Sequence, residues 1–119
     1  MVVDDDEDSS VNMKDILNDK GRRARRASVA YDGNTAIEKV CEENFDVIIL
    51  DMKLPPLNGL EAYLSIRDIR PNVVVIIITG YLQEMGNLAE QALQKSAYVL
   101  LEKPIDMDYL ILLLKQIKQ

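Results

Sequence analysis

Apolar residues fall along this chain in two alternating rhythms. Short runs rich in β-branched residues lie at Val2-Val3, around Ser28 to Tyr31, at Val47 to Leu50, Val73 to Thr79 and Tyr98 to Leu101. Runs of that length and composition predict strands. After each comes a stretch in which apolar residues recur three and four apart, the period of a helix with one face toward a core. The stripes are Met13, Ile16 and Leu17; Ala36, Ile37, Val40 and Cys41; Leu60, Tyr63 and Leu64; Met85, Leu88, Ala89, Ala92 and Leu93; and Met107, Leu110, Ile111, Leu114 and Ile117. Parallel neighbours need a long return connection, so five strand-helix alternations predict an α/β fold, a (βα)5 doubly wound parallel sheet of five strands with helices on both faces. Val73 to Ile78 contains no polar residue, which suits a central strand covered on both sides.

The strand ends carry the polar residues of interest. In an open parallel sheet, ligands gather at the carboxyl ends of the strands, where the strand order reverses. Those ends read Asp4 and Asp5 after the first run, Asp51 after the third, Thr79 after the fourth and Lys103 after the fifth. If the first and third strands are neighbours, Asp4, Asp5 and Asp51 crowd together, and like charges that close do not all ionise without a cation. Hard oxygen ligands suit Mg²⁺, which accepts two carboxylates and a backbone carbonyl and leaves room for a phosphate oxygen. Lys103 as a point charge and Thr79 as a hydroxyl donor complete a phosphoryl site. Pro55, Pro56 and Gly59 shape the turn that follows Asp51. By its position before the first helix, either Asp8 or Ser9 is expected to cap it, and the register among Asp4, Asp5 and Asp6 is open by one residue.

Composition narrows the chemistry. The chain has 119 residues, one cysteine (Cys41) and no histidine, with a net charge of -6. That length fits one domain, taken as 1–119, able to bury a core without disulfides. Lacking histidine, it has neither the commonest base nor phosphohistidine chemistry of its own, so carboxylates must carry the work. Its charge argues against direct nucleic-acid binding. No apolar run approaches the roughly 18 residues of a membrane span, and Met1-Val2-Val3 followed by acids does not read as a secretory signal, so a cytoplasmic location is expected.

The motifs "VVDDDED", "ILDMKLPPLNG", "IIITG" and "LEKPID", in that order and on those strand ends, resemble the receiver domain of two-component response regulators over essentially the whole chain. Each motif alone is weak. The resemblance implies the flavodoxin-like strand order 2-1-3-4-5, Asp51 as phosphoacceptor, Asp5 as a direct Mg²⁺ ligand, Asp4 as a ligand through water and the carbonyl of Lys53 as a third protein ligand. It further implies Thr79 as the hydroxyl switch, Lys103 as the phosphate-binding lysine and a cis Lys103-Pro104 bond. The phosphoryl donor would be a sensor histidine kinase or a phosphotransfer protein. The output would be the face of helix four, strand five and helix five, open to a homodimer partner or an effector. Such a protein is no enzyme in the ordinary sense, although it catalyses its own phosphorylation and slow dephosphorylation. These 119 residues are expected to hold the receiver alone, without an effector domain.

Several positions depart from the pattern. Leu100 stands where the family often has an aromatic residue that moves with the threonine, and the first strand is short, which would cost sheet hydrogen bonds. Lys53 and Tyr81 occupy the positions two after the acceptor and two after the threonine, where the family controls water access. The segment "GRRARRASVAYDG" is about three residues longer than the pattern, with Arg22, Arg23, Arg25 and Arg26 expected on a solvated sheet edge. Arg25-Arg26-Ala27-Ser28 also matches the short, unspecific pattern of a basophilic kinase site. Tyr109, Leu112 and Leu113 lie off the core stripe of the last helix, either as an outward apolar patch or under a neighbouring helix. Two other functions compete: a degenerate receiver that binds partners without phosphorylation, and a Mg²⁺-dependent phosphatase of the haloacid dehalogenase type. The latter wants a second Asp two residues after the nucleophile, where this chain has Lys53.

Overall fold

The computed structural model describes residues 1–19 and 28–118. Its elements run β1 (Val2–Val3), α1 (Glu7–Asp19), β2 (Val29–Ala30), α2 (Gly33–Glu42), β3 (Val47–Asp51), β4 (Lys53–Leu54), β5 (Leu57–Asn58), α3 (Gly59–Ile69), β6 (Val74–Thr79), α4 (Leu82–Gln94), β7 (Val99–Glu102) and α5 (Met107–Lys118). Five strands form one parallel sheet in the order β2-β1-β3-β6-β7. Since β4 and β5 form a separate small antiparallel ladder after Asp51, this is the expected order 2-1-3-4-5. The arginines at 22, 23, 25 and 26 lie outside the described residues. Ser28 lies within them, its carbonyl accepting from Val2 N at 2.8 Å and its hydroxyl oxygen buried, a poor presentation for a kinase.

The period-two alternation of the strands sorts their side chains into two cores. Val3, Ile48, Leu50, Val75 and Ile77 pack with Ala36 and Val40 of α2, Ala62, Tyr63 and Ile66 of α3, and Ala89 and Ala92 of α4. Val2, Val47, Ile49, Ile76 and Ile78 face the other way, onto Met13 of α1 and Leu110 and Leu114 of α5. An unbroken apolar run thus serves both layers, which is why β3 and β6 show no polar alternation. β1 spans only two residues, yet the ladder continues through Met1, whose amino group donates to Val47 O at 3.0 Å and whose carbonyl accepts from Ile49 N at 2.9 Å. The hydrogen bonds that a short first strand threatened to lose are made there. On the β2 edge, Lys39 Nζ donates to Val29 O at 3.1 Å.

Three local expectations need correction. The first helix starts at Glu7, and Asp6 rather than Asp8 or Ser9 caps it, its Oδ1 accepting from Ser9 N at 3.3 Å. Cys41, placed on the α2 stripe by period, is exposed, because the stripe runs out at the last turn. In α5, Leu113 is buried while Tyr109 and Leu112 are about half exposed, at 47% and 52%, so the outward patch exists without Leu113.

Candidate functional site

β3 places Asp51 at the sheet's carboxyl edge, buried although charged. Its neighbours come from the strands on either side. The register Val3↔Leu50 sets Asp4, the next residue after β1, beside Asp51. On the other flank Asp51 pairs with Ile78, so that Thr79 lies one step farther along β6. Lys103 follows β7, tied by its backbone N–H to Thr79 O at 2.8 Å. Its ammonium enters the site between two acids, 2.7 Å from Asp4 Oδ2 and 2.8 Å from Asp51 Oδ2. Carboxylate oxygens of Asp4, Asp5 and Asp51 lie within 4.8 Å of one another, with Asp4 and Asp51 buried and Asp5 exposed.

Hydrogen bonds from the surroundings hold Asp4 and Asp51. Asp4 Oδ1 accepts from Asp6 N at 3.0 Å, and the buried Ser10 hydroxyl donates to Asp4 O at 3.1 Å or Asp6 O at 2.8 Å. Asp51 Oδ1 accepts from Lys53 N at 3.1 Å. Behind Asp51 the chain folds back on itself, since Gly59 N donates to Met52 O at 2.7 Å. A Cβ at position 59 would lie 2.5 Å from Met52 Cα and 2.6 Å from Asp51 O, so only glycine fits. Burial raises Asp51 above its ordinary value of 3.8 despite the opposing hydrogen bonds of Lys103 and of Lys53 N–H. For Lys103, burial acts downward, but Asp4 and Asp51 outweigh it and leave the ammonium above 10.5. One lysine cannot neutralise three carboxylates, and the deficit, with an all-oxygen donor set, fits a hard divalent cation.

Thr79 is buried, and its Oγ1 accepts from Tyr81 N at 3.0 Å. The Lys53 side chain turns away from Asp51 toward α4, with Nζ 4.0 Å from the centroid of the Tyr81 ring and 3.4 Å from Glu84 Oε2. Leu100 is half-buried against the core shared with α2, α3 and α4, and Tyr98, two residues earlier, is exposed. Lys103-Pro104 is cis as expected, and Pro55-Pro56 is cis as well. Ser10 and Glu84 were not legible as part of this neighbourhood. A serine in the first turns of a helix is an ordinary helix-start residue, and Glu84 meets Lys53 across 31 positions that no local pattern links.

Comparison with known proteins identifies the family. Residues 1–115 match the family model of the response regulator receiver domain. The chain is 33% identical over 116 residues to the transcriptional regulatory protein ZraR of Klebsiella oxytoca, covering 98% of this chain and 25% of that protein. It is 29% identical over 108 residues to sporulation initiation phosphotransferase F of Bacillus subtilis, covering 91% of this chain and 83% of that one. Among solved structures it superposes, with a TM-score of 0.80 and 25% identity, on a response regulator from Burkholderia pseudomallei, covering 92% of this chain and 62% of that one. That crystal holds a phosphorylated aspartic acid, a calcium ion and citrate. The chain belongs to the receiver domain family of two-component response regulators. Receiver domains are signalling switches that bind a divalent metal and take phosphoryl groups from histidine kinases. This chain spans about a quarter of the ZraR relative, and no described helix is long and apolar enough to cross a membrane.

Proposed function

We propose that this chain is a cytoplasmic phosphoryl-accepting switch in which Asp51 takes a phosphoryl group from a histidine kinase or a phosphotransfer protein. The observation that carries this reading is the Lys103 ammonium seated between Asp4 and Asp51, with Asp5 at the open side. A carboxylate oxygen of Asp51 attacks phosphorus in line. The new P–O bond forms as the P–N bond to the donor imidazole breaks, and the imidazole nitrogen leaves with the electron pair. Asp4, Asp5, Asp51 and the Lys53 carbonyl would hold Mg²⁺, which when bound supplies positive charge against the phosphoryl oxygens. Lys103 moves from carboxylate to phosphoryl oxygen, keeping its charge in the site. Rigid placement by β3 and the Gly59 contact keeps Asp51 aligned.

The Thr79 hydroxyl then exchanges its bond from Tyr81 N–H for one to the acyl phosphate, and the change passes to α4, β7 and α5. Tyr109 and Leu112 on α5 and Tyr98 just before β7, all exposed, suit a homodimer partner or an effector. Intact mass after incubation with Mg²⁺ and acetyl phosphate tests the reading. Wild type is expected to gain one phosphate and Asp51→Asn none. No gain with any phosphodonor would leave a phosphorylation-independent interaction module, and steady turnover of phosphate monoesters would point to a phosphatase.

A further inference from the structure

Lys53 is the second cation at the mouth of this site, and its charge is parked. Its backbone N–H donates to Asp51 Oδ1 at 3.1 Å, which fixes its Cα at the rim. Its ammonium nevertheless lies over the Tyr81 ring at 4.0 Å and against Glu84 Oε2 at 3.4 Å. Glu84 lies in the first turn of α4 and Tyr81 immediately precedes that helix, making no side-chain cap. The deeper cation, Lys103, is already shared between Asp4 and Asp51. Among the described residues, Lys53 is therefore the rim charge open to recruitment by an incoming anion. Both ends of the Lys53-Glu84 pair are solvent-accessible, with side chains 37% and 56% exposed, so the pair is weak and screened by salt. The aromatic face adds a modest attraction of its own.

We propose that Glu84 and the Tyr81 ring hold the Lys53 ammonium off the mouth of the site, so that the strength of this clasp sets how readily the site accepts an anionic phosphodonor. Lys53 is a positioning residue for the donor, and Glu84 is its competitor. This rests on the phosphoacceptor reading above. Removing the Glu84 charge frees Lys53 for the donor without touching Asp51, Lys103 or the acids. Donor capture changes and the chemical step does not, because the interaction is made equally in ground and transition states.

The test is the rate of phosphate gain by intact mass, at fixed Mg²⁺, as a function of acetyl phosphate concentration. It compares wild type, Glu84→Gln, Lys53→Met, Lys53→Arg and the Lys53→Met/Glu84→Gln and Lys53→Arg/Glu84→Gln double variants. Glu84→Gln is expected to lower the half-saturating donor concentration about two- to fivefold, the scale of an exposed ion pair, with the limiting rate unchanged. High salt should erase the difference. Lys53→Met should abolish the effect of Glu84→Gln, and in Lys53→Arg, which keeps the charge, Glu84→Gln should still lower the half-saturating concentration. An unchanged half-saturation in Glu84→Gln overturns the proposal, as does an equal shift in the Lys53→Met background, which would trace it to the Glu84 charge itself. Wild type gaining no phosphate at all overturns the phosphoacceptor reading beneath it, a different result from phosphorylation that ignores Glu84.

Discussion

Asp51 shows how a single residue can be costly to the fold and still be held in place. It is buried beside a second buried acid, and one ammonium is shared between them. Its raised pKa means that the folded state binds its proton more tightly than the unfolded chain does. Ionisation therefore costs stability, and the cost builds as pH rises from the unfolded value near 3.8 through the folded one. Lys103 has the opposite consequence: its raised pKa contributes stability below 10.5 that is lost as pH climbs through its folded value. Without divalent metal, Asp51→Asn is thus expected to be more stable than wild type by on the order of 1–3 kcal/mol. The gap should open above about pH 4 in urea denaturation followed across pH. Lys103→Met, which leaves two buried carboxylates without their cation, should lose roughly 3 kcal/mol at neutral pH. The acids and the lysine were legible because each ends an apolar run. Their pairing was not, since Asp4 and Lys103 meet across 99 positions.

At the scale of elements, the two ends of α4 are held differently. Its C-terminal end is pinned by the Tyr63 hydroxyl donating to Lys95 O at 2.7 Å, followed by Ser96 at φ 81°. Ala89 and Ala92 in that half are buried, while Leu82, Gln83 and Glu84 at the start are exposed. Gly86 stands between the halves. A Cβ there would meet only Leu82 Cδ1, at 3.7 Å, so packing does not demand glycine. Gly86→Ala should raise thermal stability by about 1 kcal/mol from helix propensity alone, read by circular dichroism on heating. If the first turn of α4 must shift when Asp51 is phosphorylated, the same variant should also blunt the effect of phosphate on exposed-face probes such as Tyr98. Gly59→Ala goes the other way, costing roughly 2–3 kcal/mol because the new methyl meets backbone rather than a pliable side chain. The stripes read for α3 and α4 lie on buried or half-buried positions. The period failed at Cys41 and at Leu113, where a turn more or less of burial decides the outcome, and position alone misplaced the cap of α1.

For the whole molecule, the sheet brings acids from β1 and β3 to one edge and sets a single lysine from beyond β7 against them. A divalent cation held by the folded state alone should stabilise it by mass action, about 2.7 kcal/mol at a hundredfold excess over Kd. Adding Mg²⁺ is expected to raise the melting temperature of wild type and to do so far less in Asp5→Asn, whose exposed carboxylate faces the open side of the cluster. Equal shifts in both proteins would remove Asp5 from the ligand set.

The amino-acid sequence by itself determined the alternation of strands and helices, the family, and the placing of Asp4, Asp5, Asp51, Thr79 and Lys103 at strand ends. Those follow from local periodicity and from where apolar runs stop. Only the tertiary structure decided which charges touch: that Lys103 sits between Asp4 and Asp51, that Lys53 leans on Tyr81 and Glu84, and that Leu113 goes inward while Leu112 does not. Contacts between distant segments depend on strand register and helix rotation: an error of one residue reverses the face of a strand side chain and turns a helical one by about 100°.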